Sequence, residues 1–287
     1  MSAIDFDSLW DYSKPDETER KFREVLTELS QDDPFSLELL TQIARAQGLQ
    51  HKFDEAHRTL DLVEKKLSNG PSRAKVRYLL ERGRAYNSSG LADQARPLFE
   101  QSEEMGTQLS EDFYAVDAIH MLAIIADPPQ SLSLNLRAIT LAESSEREKA
   151  RNWLGSLYNN TGWSYHDLGD YESALEMFQK AEAWHGSKGR VNEGRTARWT
   201  VARTLRSMNR VAEALSHQIE LEKEFETAGE EDGYVFEEIG ECLLLLNRSE
   251  EASPYFARAY TLLSQDTWLA EKEPQRLERL NKLRKVE

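Results

Sequence analysis

The sequence predicts an all-α fold in which helix hairpins repeat along the chain. Ala, Leu, Glu and Arg are prominent and runs of Val or Ile are few, a composition that favours helices over strands. Small and aromatic residues recur at helical spacing on either side of short polar turns. Equivalent residues return after about 39 residues along the chain, an interval typical of repeat architectures.

The clearest copy of the repeat lies in the middle of the chain, around a Gly-Asp turn. Its small and aromatic residues are Gly162, Tyr165, Gly169, Tyr171, Ala174, Phe178 and Ala181. Weaker copies in the same phase contain Gly83, Tyr86, Gly90, Ala95 and Phe99, and Gly240, Leu243, Asn247, Ala252, Phe256 and Ala259. This pattern resembles the tetratricopeptide repeat, in which small residues at the eighth and twentieth positions let two helices approach closely. The aromatic at its twenty-fourth position fills the gap to the next hairpin.

The interval between copies is longer than in the standard repeat. The residues at the twenty-fourth position are Phe22, Leu60, Phe99, Asn135, Phe178, Gln218 and Phe256. Their spacings are 38, 39, 36, 43, 40 and 38 residues, against about 34 in the standard repeat. The helices are therefore predicted to be longer than usual by half a turn or more. In this the chain resembles the long-repeat subclass found in kinesin light chain and in bacterial peptide-sensing regulators.

The repeat phase divides the chain into three parts. Residues 1–32 are an N-terminal segment with a leading helix, residues 33–266 carry about six repeats, and residues 267–287 form a closing helix. The repeats span approximately residues 33–70, 71–109, 110–146, 147–188, 189–229 and 230–266, with the phase of the third left open. The resemblance implies a right-handed superhelical solenoid whose stacked hairpins bury a continuous core. Ser110 and Ser249, each followed by acidic residues, are predicted helix N-caps.

The charge of the chain argues against two classes of partner. A formal net charge of −15 repels phosphate backbones and anionic lipid, so either partner would require a strong local basic patch. The nearest candidate, Arg276 to Lys285, is interpreted as an amphipathic closing helix with cations in its last turns. We therefore expect neither nucleic acid nor a membrane as a partner.

The cysteine content and the start of the chain indicate a reducing compartment. Cys242 is the only cysteine, so no intramolecular disulfide can form. The first residues are acidic and lack the apolar run of a secretory signal. The expected location is the cytoplasm.

The chemistry-bearing residues form no recognisable catalytic arrangement. The sequence has no phosphate-binding loop, and its six histidines form no HExxH motif and no pair spaced by four residues. Cys242 lies between Glu241 and a run of leucines, which favours a core position over a nucleophile. We expect no enzymatic activity, no cofactor and no metal site.

The resemblance implies that ligands contact the first helix of each hairpin, on the concave face. The residues that match its contact positions most clearly are Asn159, Asn160, Trp163, His166, Trp199, Arg203, Arg206, Glu237, Glu238 and Glu241. The same match gives Ser156, Asp167, Thr196, Thr200, Ser207 and Tyr234. The first three repeats offer Glu38, Gln42, Arg45, Arg77, Glu81, Arg84, Asn87, Asp117 and His120, with the third repeat the least certain in phase.

Each of these contact residues also has a structural interpretation. The amides of Asn159 and Asn160 would bind the backbone of an extended peptide, or one would hold a hydrogen bond between helices. The indoles would be binding hot spots or packing between repeats. The guanidinium groups of Arg203 and Arg206 would bind an acidic group of a ligand, or would pair with the glutamates of the next first helix.

These observations predict a protein–protein interaction scaffold that binds an extended or helical segment of a partner in its concave groove. The alternative is a regulatory sensor whose curvature responds to a small peptide or an acidic ligand. The sequence leaves the identity of the partner open, and it leaves open whether the chain forms a homo-oligomer.

Overall fold

The chain is helical throughout the part that a computed structural model describes, residues 6–29, 34–68 and 70–285. A short 3₁₀ helix, Phe6–Leu9, comes first. The α-helices of the first half are α1 (Pro15–Glu28), α2 (Pro34–Leu49), α3 (Phe53–Lys66), α4 (Arg73–Ser88), α5 (Ala92–Gln108), α6 (Asp112–Ile124), α7 (Pro128–Ser144) and α8 (Glu148–Arg151). Those that follow are α9 (Leu154–Asp167), α10 (Tyr171–Ser187), α11 (Val191–Ser207), α12 (Val211–Ala228), α13 (Gly233–Leu245), α14 (Ser249–Leu263), α15 (Thr267–Lys272) and α16 (Pro274–Leu283).

Helices that follow one another in the chain pack as antiparallel hairpins. In one compact unit, Met1–Leu157, α2 packs on α3, α4 on α5 and α6 on α7. In the other, Tyr158–Glu287, α11 packs on α12 and α13 on α14. The prediction of an all-α fold built from helix hairpins is confirmed.

Most hairpin turns contain one residue with a left-handed backbone. These residues are His51, Gly90, Ser110, Gly169, Gly189, Asn209, Gly229 and Asn247. In the turn after α9, the amide of Gly169 (φ 79°) donates to the carbonyl of His166 at 3.0 Å. The next amide, of Asp170, donates to Tyr165 at 3.0 Å, so the last carbonyls of the helix are satisfied. The Gly-Asp turn read from the sequence is therefore a helix stop signal.

The same turn geometry explains why the predicted N-caps Ser110 and Ser249 were wrong. Ser110 has φ 54° and belongs to the end of α5, where the amide of Glu111 donates to Gly106 at 2.8 Å. Ser249 is already the first residue of α14. Both serines lie in a turn that must first end the preceding helix, so the cap position falls on another residue.

The repeat phase is visible in the core. All seven residues at the twenty-fourth position are at most 3% exposed, including Asn135 of the irregular third repeat. In three hairpins the facing residue is a glycine: a Cβ atom would lie 2.5 Å from Phe99 Cε1 at Gly83, 2.6 Å from Phe178 Cε1 at Gly162 and 2.8 Å from Phe256 Cε1 at Gly240. The phenyl ring thus occupies the space that any side chain on the facing helix would need.

The two ends of the chain differ in how closely they follow the sequence-based expectation. The leading helix is α1, and its Phe22 packs in a core cluster with Leu39 and Ile43 of α2. The closing segment is two short helices rather than one, because Pro274 begins α16 where a continuous helix would need its amide. Residues 1–5, where a secretion signal was not expected, and the predicted boundary at residues 32 and 33 lie outside the described residues. The division into numbered repeats stays a prediction.

Candidate binding surface

A row of aromatic rings joins three first helices of the second unit. The ring of Trp163 on α9 lies 6.3 Å from that of Trp199 on α11, which lies 6.2 Å from that of Tyr234 on α13. All three side chains are half-buried. Trp163 also packs edge-on against Phe178 at 5.2 Å, and the Trp199 indole N–H donates to the Tyr234 carbonyl at 3.1 Å. The rings therefore contact one another across three helices while each side chain stays partly exposed.

The two asparagines of α9 lie one helical turn before this row. Asn159 and Asn160 are half-buried, and within the described part of the chain neither side chain has a hydrogen-bond partner. Besides the backbone hydrogen bonds of the helix, the Asn160 carbonyl accepts from the Ser164 hydroxyl at 3.0 Å. Among the described residues, these side chains therefore do not form the hydrogen bond between helices that the structural interpretation predicted.

The arginines of α11 pair with a glutamate of the next first helix. The Arg206 guanidinium donates to both carboxylate oxygens of Glu238, at 2.7 Å and 2.9 Å, and Arg203 donates to the same carboxylate. Glu238 is only 3% exposed, so this is an ion pair with a buried carboxylate. These contacts agree with the structural interpretation of Arg203 and Arg206, in which both pair with glutamates of the next first helix.

The other two predicted glutamates pair with the closing segment. Glu237 accepts from Arg276 at 2.6 Å and 2.9 Å, and Glu241 accepts from Arg279. Both arginines belong to α16, where the sequence suggested only a basic helix end. Their spacing of three residues, which places both on one helix face, was the signal that could have indicated this contact.

His166 closes the site at the end of α9. A ring nitrogen, Nε2, lies 2.9 Å from the Ser207 hydroxyl, and the ring packs beside Trp163 and Tyr171. Burial lowers the pKa of His166, and the nearby charge of Arg203 lowers it further. The imidazole is therefore neutral at pH 7 and acts as a hydrogen-bonding side chain.

The aromatic row and the ion pairs surround an open cavity of about 460 Å³ in the second unit, and Asn159, Asn160 and His166 lie outside its lining. Its lining residues are Trp163, Trp199, Arg203, Arg206, Tyr234, Glu237, Glu238, Glu241, Glu273, Arg276 and Arg279. The lining contains four arginines and four glutamates, so its formal charge is zero. A charged ligand would gain little from such a surface, whereas an apolar group would meet three rings.

The predicted residues of the first unit form another ion-pair network. Glu81 and Asp117 are buried, and Arg84 donates to both carboxylates. Arg45 reaches Glu81 at 3.3 Å. His120 packs beside the Trp153 ring at 5.2 Å, and burial lowers its pKa. Asn87 is half-buried near the end of α4. The network thus uses most of these predicted residues for packing between first helices.

Cys242 is a core residue of α13, and we predict that its thiol is inert in the folded chain. It is fully buried, and burial raises the pKa of the thiol to about 12. At pH 8 roughly one thiol in ten thousand would be ionised, and the thiolate is the reactive form. Ellman's reagent should leave the native protein unlabelled. In about 6 M guanidinium, which denatures the chain, the reagent should label one thiol per chain. Rapid labelling of the native chain would contradict this assignment.

Two further properties concern only the described residues. Among them, no group of three or more His, Cys, Asp or Glu side chains is placed to hold a metal ion. None of their helices combines the length and apolarity that a membrane crossing requires.

Comparison with known proteins supports the fold. Residues 149–184 match the tetratricopeptide repeat family. No curated protein matches the chain in sequence. Solved structures with a similar fold include the apo form of RapI, which is 12% identical with a TM-score of 0.73 and aligns over 93% of this chain and 80% of its own.

Two further structures resemble the chain less closely in shape. A putative kinesin light chain from Podosopora anserina with nearly identical repeats is 17% identical with a TM-score of 0.56, over 68% of this chain and 98% of its own. NprR in complex with its cognate peptide NprX is 14% identical with a TM-score of 0.54, over 94% of this chain and 78% of its own. The resemblance to long tetratricopeptide repeats is thereby confirmed at the level of fold.

Proposed function

We propose that the chain is a protein-interaction scaffold that binds an extended segment of a partner along the first helices of its second unit. The observation that carries this proposal is a pair of half-buried amides, Asn159 and Asn160, one helical turn before the row of Trp163, Trp199 and Tyr234. Neither amide has a hydrogen-bond partner among the residues that the structure describes. The function assigned is recognition of a peptide or protein segment rather than catalysis.

The chemistry of the surface specifies the segment. An Asn amide both donates and accepts, so it can pair with the N–H and C=O groups of an extended backbone. The outward faces of the indole rings would contact an aliphatic or aromatic side chain, as in binding hot spots. The segment needs no acidic group, because Arg203 and Arg206 are already paired with Glu238.

Other features support the class of partner and its setting. NprR, which shares this fold, has been solved with a peptide bound. The formal charge of −15 disfavours nucleic acid and anionic membranes as alternatives. We propose a cytoplasmic location, because a chain with a single, buried cysteine forms no intramolecular disulfide that an oxidising compartment would maintain.

Asn160→Ala is predicted to weaken partner binding by ~1–3 kcal/mol, the range for a lost buried hydrogen bond. The partner would be recovered from the native host by affinity purification, and overlapping peptides from it would be titrated calorimetrically. The melting temperature should not fall, because the Asn160 side chain makes no hydrogen bond to any described residue and Ala favours a helix.

Asn192→Ala is the matched control, since Asn192 is exposed in the first turn of α11. Its affinity should equal that of the wild type. If the Asn160 and Asn192 variants bound the partner with equal affinity, the binding surface would have to lie elsewhere on the chain. A short peptide that binds and changes the radius of gyration would favour the sensor over the scaffold.

A further inference from the structure

The N-terminal segment Phe6–Tyr12 lies against side chains of the first helices α2 and α4, which together form a surface termed the inner face of the first unit. The indole N–H of Trp10 donates to the Gln42 side chain on α2 at 3.1 Å. The Arg45 guanidinium lies over the rings of both Trp10 and Tyr12, at 5.7 Å and 5.5 Å. The segment therefore contacts α2 through side-chain recognition as well as through apolar packing.

The side chains that hold this segment are those that the repeat pattern assigns to ligand binding. Gln42 and Arg45 on α2 and Arg77 on α4 all match contact positions of the groove, and Arg77 lies over the Phe6 ring at 4.9 Å. A hydrogen bond to an indole and guanidinium groups over aromatic rings are contacts typical of peptide recognition. The segment thus occupies the place of a ligand.

The two rings nearest the groove differ in how firmly they are held. The half-buried Trp10 packs edge-on against the buried Phe22, with ring centres 5.2 Å apart, whereas Tyr12 is 60% exposed. Tyr12 stacks flat on Trp10, with ring centres 4.8 Å apart. The turn that follows is held separately, by reciprocal hydrogen bonds between Asp11 and Thr18 at 3.1 Å. The exposed Tyr12 side chain can therefore leave the surface without opening this turn, whereas the Trp10 side chain must also give up its contact with Phe22.

The groove continues beyond the segment as a cavity of about 350 Å³. Trp10, Tyr12, Asp117 and Asn152 are among its lining residues. Glu81 also lines it, but its side chain is only 3% exposed and is paired with Arg45 and Arg84. A ligand longer than the segment would therefore extend along this lining without pairing with Glu81.

We infer that the inner face of the first unit is a docking surface for a segment carrying two aromatic side chains two residues apart, and that Phe6–Tyr12 occupies it as an internal ligand. A partner segment of this kind must displace Trp10 and Tyr12 before it binds. The inference goes beyond the proposed function, because it concerns the first unit and holds whether or not the second unit binds the same partner.

The tether sets the size of the expected competition. A short linker gives an attached segment an effective concentration in the millimolar range. If the same segment binds in trans with a dissociation constant near 100 μM, the attached copy would weaken its binding about tenfold. The attached copy is therefore a measurable competitor but a displaceable one.

The test uses the full chain and an acetylated peptide of residues 6–14. Trp10→Ala combined with Tyr12→Ala should bind this peptide at least about tenfold more tightly than the wild type. Adding Arg45→Ala to the double variant should weaken its binding of the peptide about fivefold, because the two peptide rings lose their contact with the guanidinium. A peptide with Ala in place of its Trp and Tyr should not bind. Fluorescence anisotropy of a labelled peptide measures all four affinities.

A second variant, with one substitution, keeps the test valid if the double variant does not fold. Tyr12→Ala removes an exposed ring, so the chain should fold normally and should still bind the peptide about threefold more tightly than the wild type. Absence of peptide binding to this variant and to the double variant would overturn the inference and leave the segment as a structural cap. Equal affinity of wild type and variants would overturn its role as an internal ligand.

Discussion

Gly162→Leu is expected to destabilise the second unit by at least ~1–3 kcal/mol, the typical cost of overpacking a core. A Cβ atom on Gly162 would already lie 2.6 Å from Cε1 and 2.7 Å from Cδ1 of Phe178. Phe178 is fully buried, so its ring has no open space to move into. The two helices of the hairpin must therefore separate, which weakens contacts on both sides of α10.

Gly186→Leu is the matched control for this variant. Gly186 lies in α10 of the same unit, is exposed, and has no atom within 4 Å of its expected Cβ position. Its replacement should leave the urea midpoint unchanged or slightly higher, because Leu favours a helix more than Gly does. Helical circular dichroism should persist in the Gly162 variant while its transition broadens. Equal midpoints for the two variants would contradict the close approach of α9 and α10.

The pairing of small and aromatic residues could be predicted because it depends on positions within one hairpin. Gly162 and Phe178 lie 16 residues apart, as do Gly83 with Phe99 and Gly240 with Phe256, so a fixed sequence interval specifies a fixed contact. The positions of the first helices follow from the same interval. That is why Trp163 and Trp199, one repeat apart, meet on one surface.

Side-chain partners between hairpins could not be predicted in the same way. Glu237 and Glu238 are adjacent in the chain, yet one pairs with α16 and the other with α11. Long arginine side chains can reach several carboxylates, and the choice depends on helix angles that the spacing does not contain. Trp10 was likewise placed only as part of an N-terminal segment, because nothing in the repeat pattern specifies where a preceding segment folds back.

A consequence is that many residues at predicted contact positions stabilise the fold. In the first unit, Glu38 binds both Arg73 and Arg77, and Arg84 bridges Glu81 and Asp117. In the second unit, Glu238 binds two arginines in the same way. Charged residues at these positions therefore connect consecutive first helices.

Glu238→Ala is expected to lower the free energy of unfolding by about 2–4 kcal/mol, somewhat less than the cost of breaking a fully buried pair. The carboxylate is 3% exposed and accepts from both Arg203 and Arg206. Its removal leaves two half-buried guanidinium groups without this partner, and water can reach them only in part. Glu238→Gln keeps one acceptor and the side-chain volume, so its loss should be smaller.

The matched control is Glu251→Ala, which removes the partner of Arg248 in an exposed pair of the same unit. Exposed pairs contribute about 0–1 kcal/mol, so this variant should melt close to the wild type. Urea unfolding of the three variants, followed by circular dichroism and by hydrogen exchange in α11 and α13, measures the difference. Rising salt should narrow the small effect at Glu251 and leave most of the effect at Glu238, because buried charges are screened less. If Glu238→Ala and Glu251→Ala were equally stable, the ion pairs would not be what links α11 to α13, and the ring contact and hydrogen bond of Trp199 with Tyr234 would be the stronger candidates.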